Sequence, residues 1–589
     1  MNLLINSEAT CPHRRLRLIC ILSALALGAL YYWSCRYEIG GDGISYLDFG
    51  EAIVRGDRDQ MINGTWSPLY PATLGAALLL INPSPYWEGS VAALVNFVIY
   101  VLALFSFDFL LRELIRLHRD REGQRSQEGY VSLPTWVWLL LGYALFIWAS
   151  LIMIGTGWSS IILRGPGLNP DMFVAAFVYL ASGILLRICR GSTGPIIFAV
   201  LGAVLGFSYL AKAVMFPLSF VYLVAGYFLI GNLRRAAPRV ALALVIFLAT
   251  ASIYIVPLSA RKERMTFGDT GAFSYAHFLN GTPHFHWQGE PEGSGTPRHP
   301  TRKIFDQPAI YEFGTPIGGS YPPWYDPSYW YEGLTPRFDL KRQASVMAVN
   351  ARLYYYPIFF SEYHVCLLLG FLILLLYAGR GWRLSLKGIG EYWPLLVPAI
   401  AALSLYWLVY VESRHVAPFI VLLWLGLFSG LRLPESEASR RLLKIVPVSI
   451  VITMGAILAG PVIHQTYSVA RDLIKGEDAS ANLQWQVADG LNRMGIQPGD
   501  KVASLGLGNQ WDFYWARLAR VKIVVEAPDP DSFWSVSESA RAQAIKTFAA
   551  TGAKALVTKK PGGNFSTTCC FTSNGWQRIG NTDYYAYLL

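Results

Sequence analysis

About 11 apolar runs divide this chain, each near the ~20 residues that a helix needs to cross a hydrocarbon layer. They lie at roughly Leu18–Trp33, Gly89–Leu114, Thr135–Ile154, Met172–Leu186, Pro195–Tyr209, Phe216–Ile230, Val240–Val256, Ile358–Tyr377, Tyr392–Val411, Val416–Leu431 and Ile445–Val462. With 53% hydrophobic residues, 15% charged residues and a mean hydropathy of +0.35, the 589-residue chain excludes a soluble globular protein. The first run follows His13-Arg14-Arg15-Leu16-Arg17, as a signal peptide would. No small-residue cleavage site precedes Arg36, so it is read as a retained helix.

Basic residues gather in alternate loops: Arg14, Arg15 and Arg17; Arg112, Arg116, Arg119 and Arg121; Arg187 and Arg190; Arg234, Arg235 and Arg239; Arg380, Arg383 and Lys387; Arg440, Arg441 and Lys444. By the positive-inside rule these loops and the N-terminus are cytoplasmic. Asp42, Asp171, the long loop after Pro257, Arg414 and the C-terminus are then extracytoplasmic. The net charge of +10 is accounted for by topology, and short basic clusters between apolar spans do not make a nucleic-acid surface. The seven cysteines, Cys11, Cys20, Cys35, Cys189, Cys366, Cys569 and Cys570, have neither metal-ligand spacing nor a disulfide framework. Most read as small buried hydrophobes.

The expected architecture is a polytopic α-helical membrane protein with a large extracytoplasmic loop and a small C-terminal α/β soluble domain. The membrane part covers 1–466 and includes the loop 258–352; the soluble domain covers 467–589. The loop is rich in Pro, Gly, Tyr and Trp, as in Tyr321-Pro322-Pro323-Trp324-Tyr325-Asp326-Pro327-Ser328-Tyr329-Trp330, and so predicts a folded lid or substrate platform. In the C-terminal part, Lys501–Leu505, Val521–Val525 and Ala553–Thr558 read as buried strands, and Asn482–Met494 and Ser537–Ala550 as helices. Gly506-Leu507-Gly508 lacks the third glycine and the lysine of the nucleotide fingerprints and reads as an ordinary strand-to-helix turn.

Ionisable residues at membrane depth are costly without partners or water, which makes them candidates for function. Here they fall at one face. Asp42, Asp48 and Glu51 follow the first span in Gly40-Gly41-Asp42-Gly43-Ile44-Ser45-Tyr46-Leu47-Asp48-Phe49-Gly50-Glu51; Asp171 opens a span after Asn169-Pro170; Lys212 interrupts Tyr209-Leu210-Ala211-Lys212-Ala213; Glu412-Ser413-Arg414-His415 fills a turn between two late spans. Structural alternatives stand beside each. Asp171 suits a helix N-terminus, Lys212 can snorkel, and Glu412 with Arg414 can close a hairpin. Asp42, between glycines, has no evident helix to cap. His284-Phe285-His286 puts two imidazoles on one face if extended, without an acid or cysteine at zinc spacing. Asn63-Gly64-Thr65, Asn280-Gly281-Thr282 and Asn564-Phe565-Ser566 match a glycosylation pattern that arises often by chance.

These segments together resemble the polytopic GT-C glycosyltransferases, in particular a bacterial branch like the protein O-mannosyltransferases and the lipid A aminoarabinose transferase. The resemblance is carried by Gly41-Asp42-Gly43-Ile44-Ser45-Tyr46, Arg55-Gly56-Asp57, Trp66-Ser67-Pro68-Leu69-Tyr70-Pro71, Asn169-Pro170-Asp171-Met172, Gly206-Phe207-Ser208-Tyr209-Leu210-Ala211-Lys212 and Glu412-Ser413-Arg414-His415. It implies a transferase using a polyprenyl-phosphate sugar donor and a lipid or glycan acceptor in a bacterial inner membrane. Asp42 would be the general base, Arg414 and Lys212 would hold the donor phosphate, and a divalent metal or second acid would sit at Asp171 or Asp48. Trp324, Tyr325 and Trp330 would stack acceptor sugars. Asp42 is followed by Gly43 rather than a second acid, and no lysine-and-double-proline element is present. Neither protein hydroxyls nor lipid A is therefore implied as acceptor. A transporter or flippase of lipid-linked sugars and a non-catalytic scaffold are the competing readings, although no internal repeat of the transporter kind is evident.

Overall fold

The computed structural model describes residues 13–125, 129–154, 168–313, 318–355, 362–378, 382–475, 482–508, 511–559 and 575–589. Cys11, Cys569, Cys570 and the Asn564 acceptor pattern lie outside the described residues. Each apolar run is helical over most of its described length. Fewer than 11 of these helices are long enough to span, however. Among the described residues six qualify by length and composition: Arg14–Ser34, Pro85–Glu122, Thr135–Ile154, Asp171–Cys189, Leu233–Arg261 and Glu437–Arg471. Trp382–Glu391 and Trp393–Val409 qualify only as a pair bent by 80°. Pro195–Ala211, Met215–Leu229, His364–Tyr377 and Ser413–Ser429 are shorter apolar helices, so among the described residues six or seven of the expected 11 spans qualify by length and composition.

Two of the short helices stop where the chain carries charge. Pro195–Ala211 ends at Lys212, which is extended, and Ser413–Ser429 starts after Glu412, also extended. Ending the helices there puts the ionisable side chains at helix termini instead of inside a span.

Asp42, expected to have no helix to cap, lies in the first turn of a 15-residue helix, Gly41–Arg55. This helix packs backbone to backbone on the apolar helix Leu69–Ile81: a Cβ on Gly50 would lie 2.3 Å from the Pro71 carbonyl, and one on Gly75 would lie 2.2 Å from that of Gly50. No larger residue fits at this crossing. These glycines are there for close approach.

Among the described residues a seven-stranded mixed sheet runs in the order Arg302–Phe305, Ile310–Glu312, Lys522–Ala527, Lys501–Leu505, Ala555–Lys559, Tyr584–Leu588, Trp576–Arg578. The pairs on either side of Lys501–Leu505 are parallel, and the outer pairs are antiparallel. Two strands come from the long loop, with Tyr311 opposite Glu526 and Glu312 opposite Val525. The loop is thereby stitched into the sheet by main-chain hydrogen bonds, and buried Ile310 joins Val525 and Phe533 in its core.

Charge docks this unit on the membrane part. Arg517, 2% exposed, reaches Asp48 at 2.5 Å and Glu51 at 3.1 Å from Nη1, and Glu88 at 2.8 Å from Nε. Arg520 adds a second contact to Glu51 at 2.9 Å. Asp48 also accepts from the Ser320 N–H at 2.6 Å, so one carboxylate ties the helix Gly41–Arg55 to both the loop and the C-terminal part. Removing one partner from a buried ion cluster leaves uncompensated charge, which costs about 3–5 kcal/mol. Arg517→Ala should lower stability by that order in thermal unfolding of the detergent-solubilised protein. The exposed Arg493→Ala should stay within about 0.5 kcal/mol.

Candidate active site

Four segments far apart in sequence bring ionisable side chains into one cluster. Asp42 enters from the first turn of Gly41–Arg55, where the positive end of the helix favours a carboxylate. Asp171 occupies the same place in Asp171–Cys189 and is set by Asn169, whose Oδ1 accepts from the Asp171 N–H while its Nδ2 donates to the Met153 carbonyl. Lys212 comes from the break between two short helices. Arg414 lies in the first turn of Ser413–Ser429, an unfavourable place for a cation unless carboxylates surround it.

They do surround it. Arg414 Nη2 donates to Asp42 Oδ2 at 3.2 Å and Nε to Glu412 Oε1 at 2.9 Å, while Asp171 Oδ2 stands 3.7 Å from Nε. Lys212 Nζ donates to Asp171 Oδ1 at 2.5 Å. His415 Nε2 lies 3.6 Å from Glu412 Oε2. The acids differ in access: the Asp171 side chain is 3% exposed and that of Asp42 is 29% exposed. Asp42 is the carboxylate of this pair that is open to solvent. Among the described residues no protein acceptor meets Arg414 Nη1, which leaves guanidinium donors for an anion.

Aromatic side chains close the cleft above Asp42. The Trp324 indole donates to Asp42 Oδ1 at 3.1 Å, and its carbonyl accepts from Ser45 Oγ at 2.8 Å. Trp511, from the C-terminal part, packs edge-on to Trp324 with ring centroids 4.3 Å apart. A Cβ on Gly41 would lie 2.1 Å from the Trp511 ring, so the residue before Asp42 has to be glycine. Trp511 was not legible as a site residue, because its approach depends on how the C-terminal part docks and on its left-handed backbone (φ 60°).

Several residues expected here serve elsewhere. Asp48, six residues beyond Asp42 and about 9 Å further along the helix, is held by Arg517 and Ser320. The Tyr325 hydroxyl donates to the Gln60 carbonyl and its ring is buried against Phe49 of the helix Gly41–Arg55, while the Trp330 indole donates to the Pro322 carbonyl within the loop. Of the three predicted stacking residues, Trp324 alone touches Asp42. A divalent metal does not fit either acid assigned to it, since Asp171 is paired with Lys212 and Asp48 with Arg517. Among the described residues no group of three or more His, Cys, Asp or Glu could hold a metal ion.

His284 and His286 do not share a face, because His286 takes a left-handed backbone (φ 54°) that ends the extended run. The His286 ring lies between Glu526, 2.7 Å from Nε2, and Thr301, 3.0 Å from Nδ1. His284 instead abuts His277, ring centroids 3.2 Å apart, beside Trp324. His277 Nδ1 donates to the Thr282 carbonyl at 2.7 Å.

No family model matches this chain, and no curated protein matches it. Solved structures do. The apo ArnT from Cupriavidus metallidurans aligns over 97% of both chains at 13% identity with a TM-score of 0.47. The same protein bound to undecaprenyl phosphate aligns over the same extent at 12% identity and 0.37. The Archaeoglobus fulgidus oligosaccharyltransferase in complex with Zn and sulfate aligns over 92% of this chain and 68% of its own, at 14% identity and 0.45. These likenesses run along nearly the whole chain but are loose in detail, and the functional reading rests on the cleft itself.

Burial lowers the His284 pKa to about 4, with the His277 charge acting in the same direction and Asp42 opposing. Burial lowers that of His277 too. Both rings are therefore neutral in the folded protein at pH 7. The contribution of His284 to stability is complete above the unfolded value of about 6.5 and is lost as pH falls from there through about 4. His284→Phe should lose less stability than the wild type between pH 7 and pH 5. The difference should be about 1 kcal/mol after discounting for solvent screening of a half-buried ring, read by chemical or thermal unfolding.

Proposed function

We propose that this protein is an integral membrane glycosyltransferase that moves a sugar from a polyprenyl-phosphate donor to an acceptor hydroxyl, with inversion at the anomeric carbon. One observation carries the reading: the hydrogen bond from Arg414 to Asp42, across 372 residues, which puts a reachable carboxylate and a guanidinium with spare donors in one cleft. Sequence resemblance to the GT-C enzymes supplies the donor class.

The chemistry follows from the two groups. Asp42 Oδ2 takes the proton of the acceptor hydroxyl as its oxygen bonds to the anomeric carbon. The bond from that carbon to the phosphate oxygen breaks, and the electron pair leaves with the polyprenyl phosphate. Phosphate is a good leaving group, so no second acid is needed. The anion requires positive charge already in position. Arg414 supplies it through Nη1 and Nη2, and Lys212 adds a second cation whose Asp171 contact uses one of three ammonium donors.

Phosphate binding draws Arg414 toward the donor, which weakens its hold on Asp42 and frees the base in the complex where it is needed. Asp171 and Glu412 keep the guanidinium neutralised in the free protein. The Trp324 indole fixes the orientation of the other Asp42 oxygen. In this reading 1–466 is the transferase body of a bacterial inner-membrane protein with its N-terminus in the cytoplasm, and 467–589 covers its outer face.

Asp42→Asn keeps the shape and the indole hydrogen bond but cannot take a proton. With purified protein and a panel of labelled polyprenyl-phosphate sugars, it should lower transfer by ~10² to 10⁴ while unfolding at the wild-type temperature. Equal transfer would remove Asp42 from the mechanism. Arg414→Lys should raise the donor KM more than Asp42→Asn does, because one point charge replaces a fork of donors.

A further inference from the structure

A cleft of about 520 Å³ opens at the other end of the molecule from Asp42, lined by Arg119, Glu122, Ser132, Glu435, Arg440 and Lys444 among others. Its place follows from one helix. Glu88, at the start of Glu88–Arg125, contacts Arg517 on the Asp42 side, and Arg119 lies 31 residues further on, about 46 Å by helical rise. The wall is held by a short antiparallel pair, Tyr130 opposite Pro434 and Val131 opposite Leu433. Opposite it stands the start of the long helix Glu437–Ile474, which carries Arg440 and Lys444 in its first turns.

The charges in the cleft do not cancel. Glu122 accepts from Ser132 Oγ at 2.9 Å, and Glu435 is paired with Arg440. Arg119 and Lys444 have no acidic partner among the described residues. Many basic residues on this half are neutralised: Arg17 and Arg112 by Asp108, Arg116 and Arg190 by Glu113, Arg121 and Arg432 by Glu391. Three cations, Arg119, Arg440 and Lys444, against two carboxylates, Glu122 and Glu435, leave the cleft with an excess of one positive charge, and with the positive end of a helix adding to it the cleft favours an anion with several acceptor oxygens. The cleft is of ligand size, and a lipid phosphodiester beside a basic cluster at the end of an apolar helix is a ligand of that chemistry.

We propose that this cleft binds a phosphate group through Arg119 and Lys444, as a second site independent of the transfer site. Both the phosphodiester headgroup of an anionic lipid and free phosphate carry that chemistry. The test measures thermal unfolding of the full-length protein in neutral detergent with added phosphatidylglycerol, phosphatidylcholine or inorganic phosphate.

Phosphatidylglycerol should raise the unfolding temperature where phosphatidylcholine does not. Arg119→Gln with Lys444→Gln should weaken that response at least about tenfold in lipid concentration, and Arg119→Lys in place of Arg119→Gln should restore part of it. Arg14→Gln with Arg15→Gln, a basic pair outside the cleft, should leave it unchanged. A matching response to inorganic phosphate assigns the site to free phosphate; a response to the lipid alone assigns it to the headgroup. Equal effects of the two lipids without any phosphate response, full response in the cleft variant, or equal loss in the Arg14 and Arg15 variant would overturn the proposal.

Discussion

A guanidinium largely withdrawn from water at the start of an apolar helix cannot stand alone, and Arg414 is such a group. Removing it from water without compensation costs several kcal/mol, so carboxylates must come to it from other parts of the chain. Glu412 is local, but Asp171 and Asp42 are not. Satisfying this one side chain fixes where the helices Gly41–Arg55, Asp171–Cys189 and Ser413–Ser429 begin relative to one another. The cleft is built on that electrostatic requirement, and the short helices beside it end where it demands a polar terminus.

A second cation plays the corresponding part for the cover. Arg517 draws Asp48, Glu51 and Glu88 together, and Asp48 also holds Ser320 of the loop. The helix that presents Asp42 at its start is thus anchored at its middle by the C-terminal part. Trp511 and Trp324 then meet over the first turn of that helix, one from each side of the cover. Main-chain pairing of the loop with the sheet makes the two halves of the cover a single mechanical unit. A transferase reading gains from this: an acceptor held by the cover would be held relative to the base.

Much of this was legible in the sequence. Apolar runs with charge at their ends marked the helices, because hydropathy is a local property of 15 to 20 residues. Asp42, Asp171, Lys212 and Arg414 stood out because ionisable groups beside apolar runs are costly. The three C-terminal strands were visible as short buried runs. Other features were not local. Among the described residues several apolar helices, Pro195–Ala211 and Ser413–Ser429 beside Arg414 included, are shorter than a span, and six or seven qualify by length and composition. The glycines on either side of Asp42 gave no sign of a helix, yet Gly41 makes room for the Trp511 ring and Gly43 for the Leu168 side chain. Asp48 was expected as a metal or second-acid residue beside the base Asp42, yet the two lie at different points along one helix and meet different partners.

The sequence alone determined the solvent of this chain, the positions of its apolar helices and a short set of charged residues that had to find partners, because each of these depends on composition within a few turns. Which acid faces which cation was decided only by tertiary structure. Ion pairs form across 372 and 469 residues, and nothing within either segment states the register in which the helices will pack. Folding therefore separated a reachable carboxylate at Asp42 from a structural one at Asp48, and brought a tryptophan from the last fifth of the chain to stand over the first.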